Sequence, residues 1–266
     1  MICFPNAKIN LGLHITGKRS DGYHTIETIF HPIPLTDALE AVKSKKTSFR
    51  MSGLKLDSLP DENLVMKAHR LMSEKYNLPP LDIYLKKAIP SGAGLGGGSA
   101  DAAFALKLIN ELCECNISEE KLEDIASSIG ADCPFFIQNK PVIATGTGNI
   151  FKSSDISLKG YIIYVVKPPV AVSTKEAYSN IKPQKPVFSL EKLSSIPVNE
   201  WRYVLKNDFE PNVFRKYPVI GKIKDKLYSM GAEYAAMSGS GSSVFGLFKN
   251  TIPLKFTDCF VWKGTF

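Results

Sequence analysis

PSGAGLGGGSADAAFA, residues Pro90–Ala105, places five glycines (Gly92, Gly94, Gly96, Gly97 and Gly98) within seven positions and runs straight into an alanine-rich helical stretch. Glycine costs backbone entropy, so such a cluster is kept where the chain needs positive φ or where a ligand must touch bare backbone. A glycine-rich loop that opens a helix offers free N–H groups and the positive end of the helix dipole, and both suit a phosphate. Polyphosphate binding is therefore the first expectation. The loop also satisfies G-x-G-x-x-G literally, but a dinucleotide fold wants an acidic residue about 20 positions on, at the end of a second strand. That region here is Cys113-Glu-Cys-Asn-Ile-Ser, a helix-to-helix junction. A Walker A loop fails for want of Gly-Lys-Ser/Thr, and a protein-kinase loop fails because a helix follows at once and no HRD or DFG occurs. A tight strand-to-helix turn without ligand would need only one or two glycines.

Around this loop the chain reads as a mixture of strands and helices. Alternating apolar positions predict strands at Cys3–Leu13, Ala38–Val42 and Leu81–Leu85. Asp61 followed by apolar residues at 64, 65, 68, 71 and 72 predicts a capped amphipathic helix. After the glycines, Ala102, Ala105, Leu106, Ile109 and Leu112 form one helical stripe, which puts Ser99 and Asp101 in the first turn. Ser118 caps a further helix that Gly130 ends. A polar stretch, Lys152–Ser157, precedes a strand at Tyr161–Val166 and suggests two domains, residues 1–155 and 156–266. Ser173-Thr-Lys-Glu176 is a capping box opening a short helix, Pro183–Pro197 is a linker, and a helix covers Pro218–Met230. AEYAAMSGSGSSVFGLF reads as strand, loop, strand. Without regular βαβ alternation, the fold class is α+β.

Bulk properties narrow the class further. With 266 residues, 44% apolar and 22% charged, this is the composition of a globular chain. No apolar run approaches the roughly 20 residues of a membrane span, so no membrane partner is expected. The N-terminus has no basic stretch ahead of an apolar core, which argues against a signal peptide. The five cysteines lack CxxC spacing and suggest reduced thiols in a cytoplasmic protein. A net charge of +7 attracts anionic small molecules as well as nucleic acid, but no dense basic patch interleaved with aromatics occurs, so no nucleic acid is expected.

Three other segments sharpen the reading: PNAKINLGLHITGKRSDGYHTIETIF from Pro5, GADCPFF from Gly130, and MSGSGSS from Met237, with NDFEP at Asn207–Pro211 beside them. Together with the glycine loop they resemble the GHMP kinases, over about Pro5–Phe248. The resemblance implies a ribosomal S5 domain 2-like N-terminal domain, a ferredoxin-like C-terminal domain and an active site in the cleft between. Within the family it is nearest to the branch that phosphorylates the 2-hydroxyl of a cytidine diphosphate-linked methylerythritol for non-mevalonate isoprenoid synthesis. A homoserine- or mevalonate-type kinase is the enzyme alternative, and a non-catalytic nucleotide-binding module the alternative from another class. The Gly22-Tyr-His24 turn speaks against the first, and the Lys8–Asp132 pair against the second.

By resemblance Lys8 is the catalytic lysine and Asp132 the catalytic base. Taken alone, Lys8 would be a solvent-facing strand lysine and Asp132 an Asx turn or N-cap. ATP would lie on Pro90, Ser91, Gly92, Ala93, Gly94, Leu95, Gly96, Gly97, Gly98, Ser99 and Ala100, with Asn63, Leu64, Val65 and more weakly Lys87 toward the adenine. Each of these last four is also explained by ordinary packing. Ser99 is either the helix cap or a contact to phosphate-bound Mg²⁺, the ion implied by phosphoryl transfer. The family match makes Tyr23 and His24 the cytidine pair, the ring of Tyr23 stacking on the base and His24 bonding its edge. Thr174 and Tyr178 then form the opposite wall, and Asn10 reaches the acceptor end. Gly239, Ser240 and Gly241 close over the substrate phosphates or make a tight hairpin. Asn149 stands where this family leads one to expect an acidic residue. The expected partner is the small-molecule acceptor, and the expected assembly a monomer or weak homodimer.

Overall fold

The computed structural model describes residues 1–55, 62–179 and 181–266. In chain order the strands are β1 (Ile2–Cys3), β2 (Asn6–Lys18), β3 (His24–Thr36), β4 (Ala38–Lys43), β5 (Ser48–Gly53), β6 (Leu81–Lys87), β7 (Val142–Thr145), β8 (Ile150–Ser153), β9 (Ile162–Lys167), β10 (Tyr234–Met237), β11 (Val244–Phe248) and β12 (Phe260–Thr265). The helices are α1 (Leu64–Lys75), α2 (Gly97–Leu112), α3 (Glu119–Ser127), α4 (Cys133–Gln138), α5 (Thr174–Ala177), α6 (Trp201–Val204), α7 (Glu210–Lys216) and α8 (Pro218–Ser229). The α+β class is what the sequence predicts. The contacts divide into two compact units that are discontinuous in sequence: Met1–Ala7, Leu35–Ser91 and Gly96–Lys140 make the first, and Lys8–Pro34, Gly92–Leu95 and Pro141–Phe266 the second.

The first unit is a sheet in the order β1-β4-β6-β5, packed on helices. β4 runs antiparallel to β6 from Ala38↔Lys86 to Lys43↔Leu81, while β5 runs parallel to it. Leu39, Ala41, Leu81, Ile83 and Leu85 are buried on one face and alternate with Glu40, Val42 and Tyr84 on the other. α2 buries Ala100, Ala102, Ala103, Ala105, Leu106 and Ile109. Its small residues let it lie close to α1 and to β4. The cap of α1 is Asn63, whose Oδ1 accepts from Val65 N at 2.9 Å; Asp61, the cap expected from sequence, lies outside the described residues.

The second unit holds the sheet β10-β11-β9-β12 and nearly all of the sheet β2-β3-β7-β8. Tyr234–Met237 and Val244–Phe248 form the expected strand–loop–strand hairpin, with Met237↔Val244 its innermost pair. α8 packs on β10 and β11 through Ile220, Ile223 and Leu227. Ser173 Oγ accepts from Glu176 N at 3.1 Å, so the capping box forms as read. The first predicted strand changes most. The expected strand Cys3–Leu13 breaks at Phe4-Pro5, where proline has no N–H for a ladder, and then continues to Lys18. β3 is a 13-residue strand that periodicity did not find. Among the described residues no helix is long and apolar enough to cross a membrane.

Candidate active site

β2 brings Lys8 and Asn10 to one face, because side chains two apart on a strand point the same way. Lys8 is only 4% exposed, which overturns the reading of a solvent-facing strand lysine. Its Nζ donates to Asn10 Oδ1 at 2.7 Å and lies 4.7 Å from the centre of the Phe30 ring. Asn10 Nδ2 in turn donates to Thr28 Oγ1 at 3.0 Å. An ammonium taken out of water costs several kcal/mol unless it is well paired, so its burial here marks a candidate functional site.

Three segments of this second unit meet at Asn10. Lys8 N donates to Leu95 O at 2.9 Å, Ser238 Oγ to Gly94 O at 2.8 Å, and Ser243 N to Ala93 O at 3.2 Å. The carbonyls of Ala93, Gly94 and Leu95 are thus bound by the protein, and what this stretch has left to offer a ligand is N–H. Gly92, Gly94 and Gly96 have φ of 56°, 74° and 71°, a region that favours glycine. Gly239 sits against both partners: a Cβ on it would lie 3.3 Å from Gly94 O and 3.4 Å from Asn10 Oδ1. The hairpin loop Ser238–Ser243 is therefore packed on the glycine loop, and Ser240 is half-buried within it.

That hairpin is fastened by Asn207 and Glu210, whose roles sequence reading missed. Asn207 Nδ2 donates to Met237 O at 2.9 Å and to Gly239 O at 2.8 Å, while its Oδ1 accepts from Phe209 N at 3.0 Å. Glu210 accepts from Met237 N at 2.9 Å and from Lys224 Nζ at 2.6 Å. Asp208 accepts from Ile15 N at 2.8 Å and so ties the same segment to β2. NDFEP is a clamp, which only contacts some 30 residues apart in sequence reveal.

In the first unit, α2 opens at Gly97 with Gly96 in the N-cap position and no side-chain capping bond. The first intrahelical bond is Ala100 N to Gly96 O at 2.9 Å, so the N–H groups of Gly97, Gly98 and Ser99 precede the ladder and suit an anion. Ser99 is not the cap: it stands in the first turn, hydrogen-bonded to the thiol of Cys133. Leu64 lies 3.6 Å from where a Cβ of Gly98 would be, whereas Val65 is wholly buried in the core. Asp132 occupies the N-cap position of α4, but its side chain makes no capping bond.

Lys87 has a structural explanation: it is buried between Asp37 and Asp101, donating to both, to Asp101 Oδ2 at 2.6 Å. Asp37 also accepts from Ile89 N at 2.9 Å, so the triad ties the approach to the glycine loop to the first turn of α2. Burial pushes the Asp101 carboxyl up to about 8, and the neighbouring Asp37 carboxylate adds to this while Lys87 opposes it. A carboxyl raised above its unfolded value stabilises the fold fully below about pH 4, and that contribution is lost as pH rises through about 8. Asp101→Asn, neutral at every pH and of the same shape, is expected to gain stability relative to wild type between pH 5 and 8. Urea midpoints across that range measure it, and parallel curves for the two proteins would contradict the assignment.

At the other end of β3, His24 stacks on Tyr178 with centroids 4.8 Å apart and planes 19° from parallel, and Tyr178 meets Phe209 edge-on at 4.8 Å. Two of the four residues expected around the cytidine thus come together. Tyr23 is 68% exposed, and Thr174 is exposed at the start of α5. Asn149 closes the turn between β7 and β8: its Oδ1 accepts from Thr147 N at 3.1 Å and Thr147 Oγ1 at 2.9 Å. Only an acceptor oxygen is needed there, and an amide supplies it as well as a carboxylate would.

Residues 63–140 match the family model for the GHMP kinases N terminal domain, and residues 195–254 that for the GHMP kinases C terminal. A protein of Parabacteroides distasonis named 4-diphosphocytidyl-2-C-methyl-D-erythritol kinase is 59% identical over 268 residues, 99% of each chain. A crystal structure of 4-(cytidine 5'-diphospho)-2C-methyl-D-erythritol kinase superposes with a TM-score of 0.79 at 30% identity, over 93% of this chain and 90% of that one. The homoserine kinase of Cytophaga hutchinsonii gives a TM-score of 0.63 at 18% identity, over 93% and 84%, which is a likeness of fold alone.

Proposed function

The chain belongs to the GHMP kinases, and on that footing we propose that it transfers the γ-phosphoryl group of ATP to the 2-hydroxyl of 4-diphosphocytidyl-2-C-methyl-D-erythritol. It is an ATP-dependent small-molecule kinase of isoprenoid synthesis. The observation that carries the acceptor is the 59% identity, over nearly the whole of both chains, to a relative of that name. The homoserine- and mevalonate-type alternatives share only the fold, at 18% identity or less.

The site residues follow as our reading. The acceptor oxygen attacks the γ-phosphorus, its O–P bond forms as the bond to the β,γ-bridging oxygen breaks, and ADP leaves. Asp132 accepts the hydroxyl proton. Lys8, fixed by Asn10, stabilises the negative charge at the transferring group. The phosphates of ATP rest on the N–H groups of the glycine loop from Pro90 to Ala100, closed by Gly239 and Ser240, with Asn63 and Leu64 toward the base. Cytosine is held by Tyr23 stacking on the ring and His24 bonding its edge, with Thr174 and Tyr178 as the opposite wall. The N–H groups of Gly97, Gly98 and Ser99, which precede the hydrogen-bond ladder of α2, fit a polyphosphate. No group of three or more His, Cys, Asp or Glu among the described residues could hold a metal, and Ser99 is bonded to a thiol. That donor set fits Mg²⁺ carried by phosphate oxygens and water, with Ser99 the nearest hydroxyl on α2. When bound, the ion neutralises phosphate charge.

We further place the protein in the cytoplasm, in keeping with its five free thiols, and divide it at about residue 155, between the two family matches. Phosphorus NMR of the product tests the regiochemistry: a new monoester on C2 is expected beside an intact diphosphate, and a phosphate on another carbon overturns it.

A further inference from the structure

We propose that Thr28, which lies outside every residue assigned above, is a positioning residue that sets the direction of the Asn10 amide and, through it, the seat of Lys8. The inference rests on the reading of Lys8 as catalytic. Thr28 lies on β3, the strand next to β2, and is wholly buried. A hydroxyl has one proton and two lone pairs. The proton of Thr28 Oγ1 goes to Gly12 O at 2.5 Å, so the hydroxyl turns a lone pair toward Asn10 Nδ2, 3.0 Å away. Only the N–H₂ end of an amide can meet that lone pair. Asn10 must therefore show its carbonyl oxygen to Lys8 Nζ, at 2.7 Å.

The reverse orientation would set two donors against each other, amide N–H₂ facing ammonium at hydrogen-bond distance, inside a site where desolvation makes an unmade bond expensive. Thr28 thus decides which end of Asn10 the lysine sees, and a backbone carbonyl decides which way Thr28 points. The chain of dependence runs from Gly12 O through Thr28 and Asn10 to Lys8. Ser238 Oγ, 3.5 Å from Asn10 Oδ1, sits on the side of the amide that this orientation presents.

The test removes the hydroxyl at constant shape. Thr28→Val is expected to lower kcat roughly 10- to 100-fold, the scale of an ångström-level misplacement, with KM for ATP little changed. Thr28→Ser keeps the proton and the lone pairs and is expected to restore turnover. In an Asn10→Asp background both ends of the side chain are oxygen and no orientation remains to be chosen, so adding Thr28→Val should cost much less there. Equal losses in the two backgrounds, or wild-type kcat in a folded Thr28→Val protein, overturn the proposal. Thermal melts accompany each variant, and Thr28→Ala serves if the valine protein does not fold. Lys8→Ala separates the layers. If it is inactive while Thr28→Val is normal, positioning by Thr28 alone is refuted; if it turns over normally, the catalytic reading of Lys8 falls and the positioning role with it.

Discussion

The Asp132→Ala protein is expected to bind ATP with near wild-type affinity and to release ADP at least about 10³-fold more slowly, within the range removal of a general base produces. Asp132 stands at the N-cap position of α4, where a capping side chain typically contributes about 1 kcal/mol, but its carboxylate makes no capping bond. Losing it removes no capping bond from the N-terminus of α4. Cys133, Pro134, Phe135, Phe136 and Ile137 remain buried and hold the helix in place. Steady-state ADP release and ATP titration calorimetry, run on the same preparation, give the two numbers. Near-normal turnover would take Asp132 out of the mechanism.

Gly94→Ala should be the most damaging single methyl group in the glycine loop. A Cβ there would lie 1.9 Å from Ser238 O and 3.2 Å from Gly241 O, on backbone at φ +74°. Both obstacles are main chain, so neither can swing aside, and the hairpin loop fastened by Asn207 must move bodily. We expect a loss of about 3–5 kcal/mol, the scale reserved for strain and steric conflict at a special backbone position. Gly92→Ala is the matched control: φ is +56°, but nothing lies within 4 Å, so only the left-handed strain of about 1–2 kcal/mol remains. Urea unfolding of both variants reads the difference. Equal stability of the two would mean that Gly94 does not carry the hairpin loop.

What the sequence disclosed and what it withheld divide along a physical line. The glycine cluster was legible because its cost is local: so many residues with positive φ or no room for a side chain need a reason on the spot. Lys8 was legible only by resemblance, since a lysine on an alternating strand normally faces water. Its burial depends on Asn10, Phe30 and the glycine loop, which no periodicity connects. β3 went unseen because Pro32 and Pro34 argue against a strand, and with it went Thr28 and Phe30. The ion pairs of Lys87 were not legible because its partners Asp37 and Asp101 lie 50 and 14 residues away. Asn207 and Glu210 belong to the same class: polar residues in a plausible motif whose work is done on backbone atoms of Met237, 30 and 27 residues distant.

The central claim is the identity of the acceptor. Coupled ADP release should be measured with ATP and, in parallel, 4-diphosphocytidyl-2-C-methyl-D-erythritol, mevalonate and homoserine. Turnover is expected with the cytidylyl compound and with neither of the others, because His24 and Tyr178 supply a stacked aromatic pair suited to a base that mevalonate and homoserine lack. Turnover with mevalonate or homoserine, and none with the cytidylyl compound, would contradict the account.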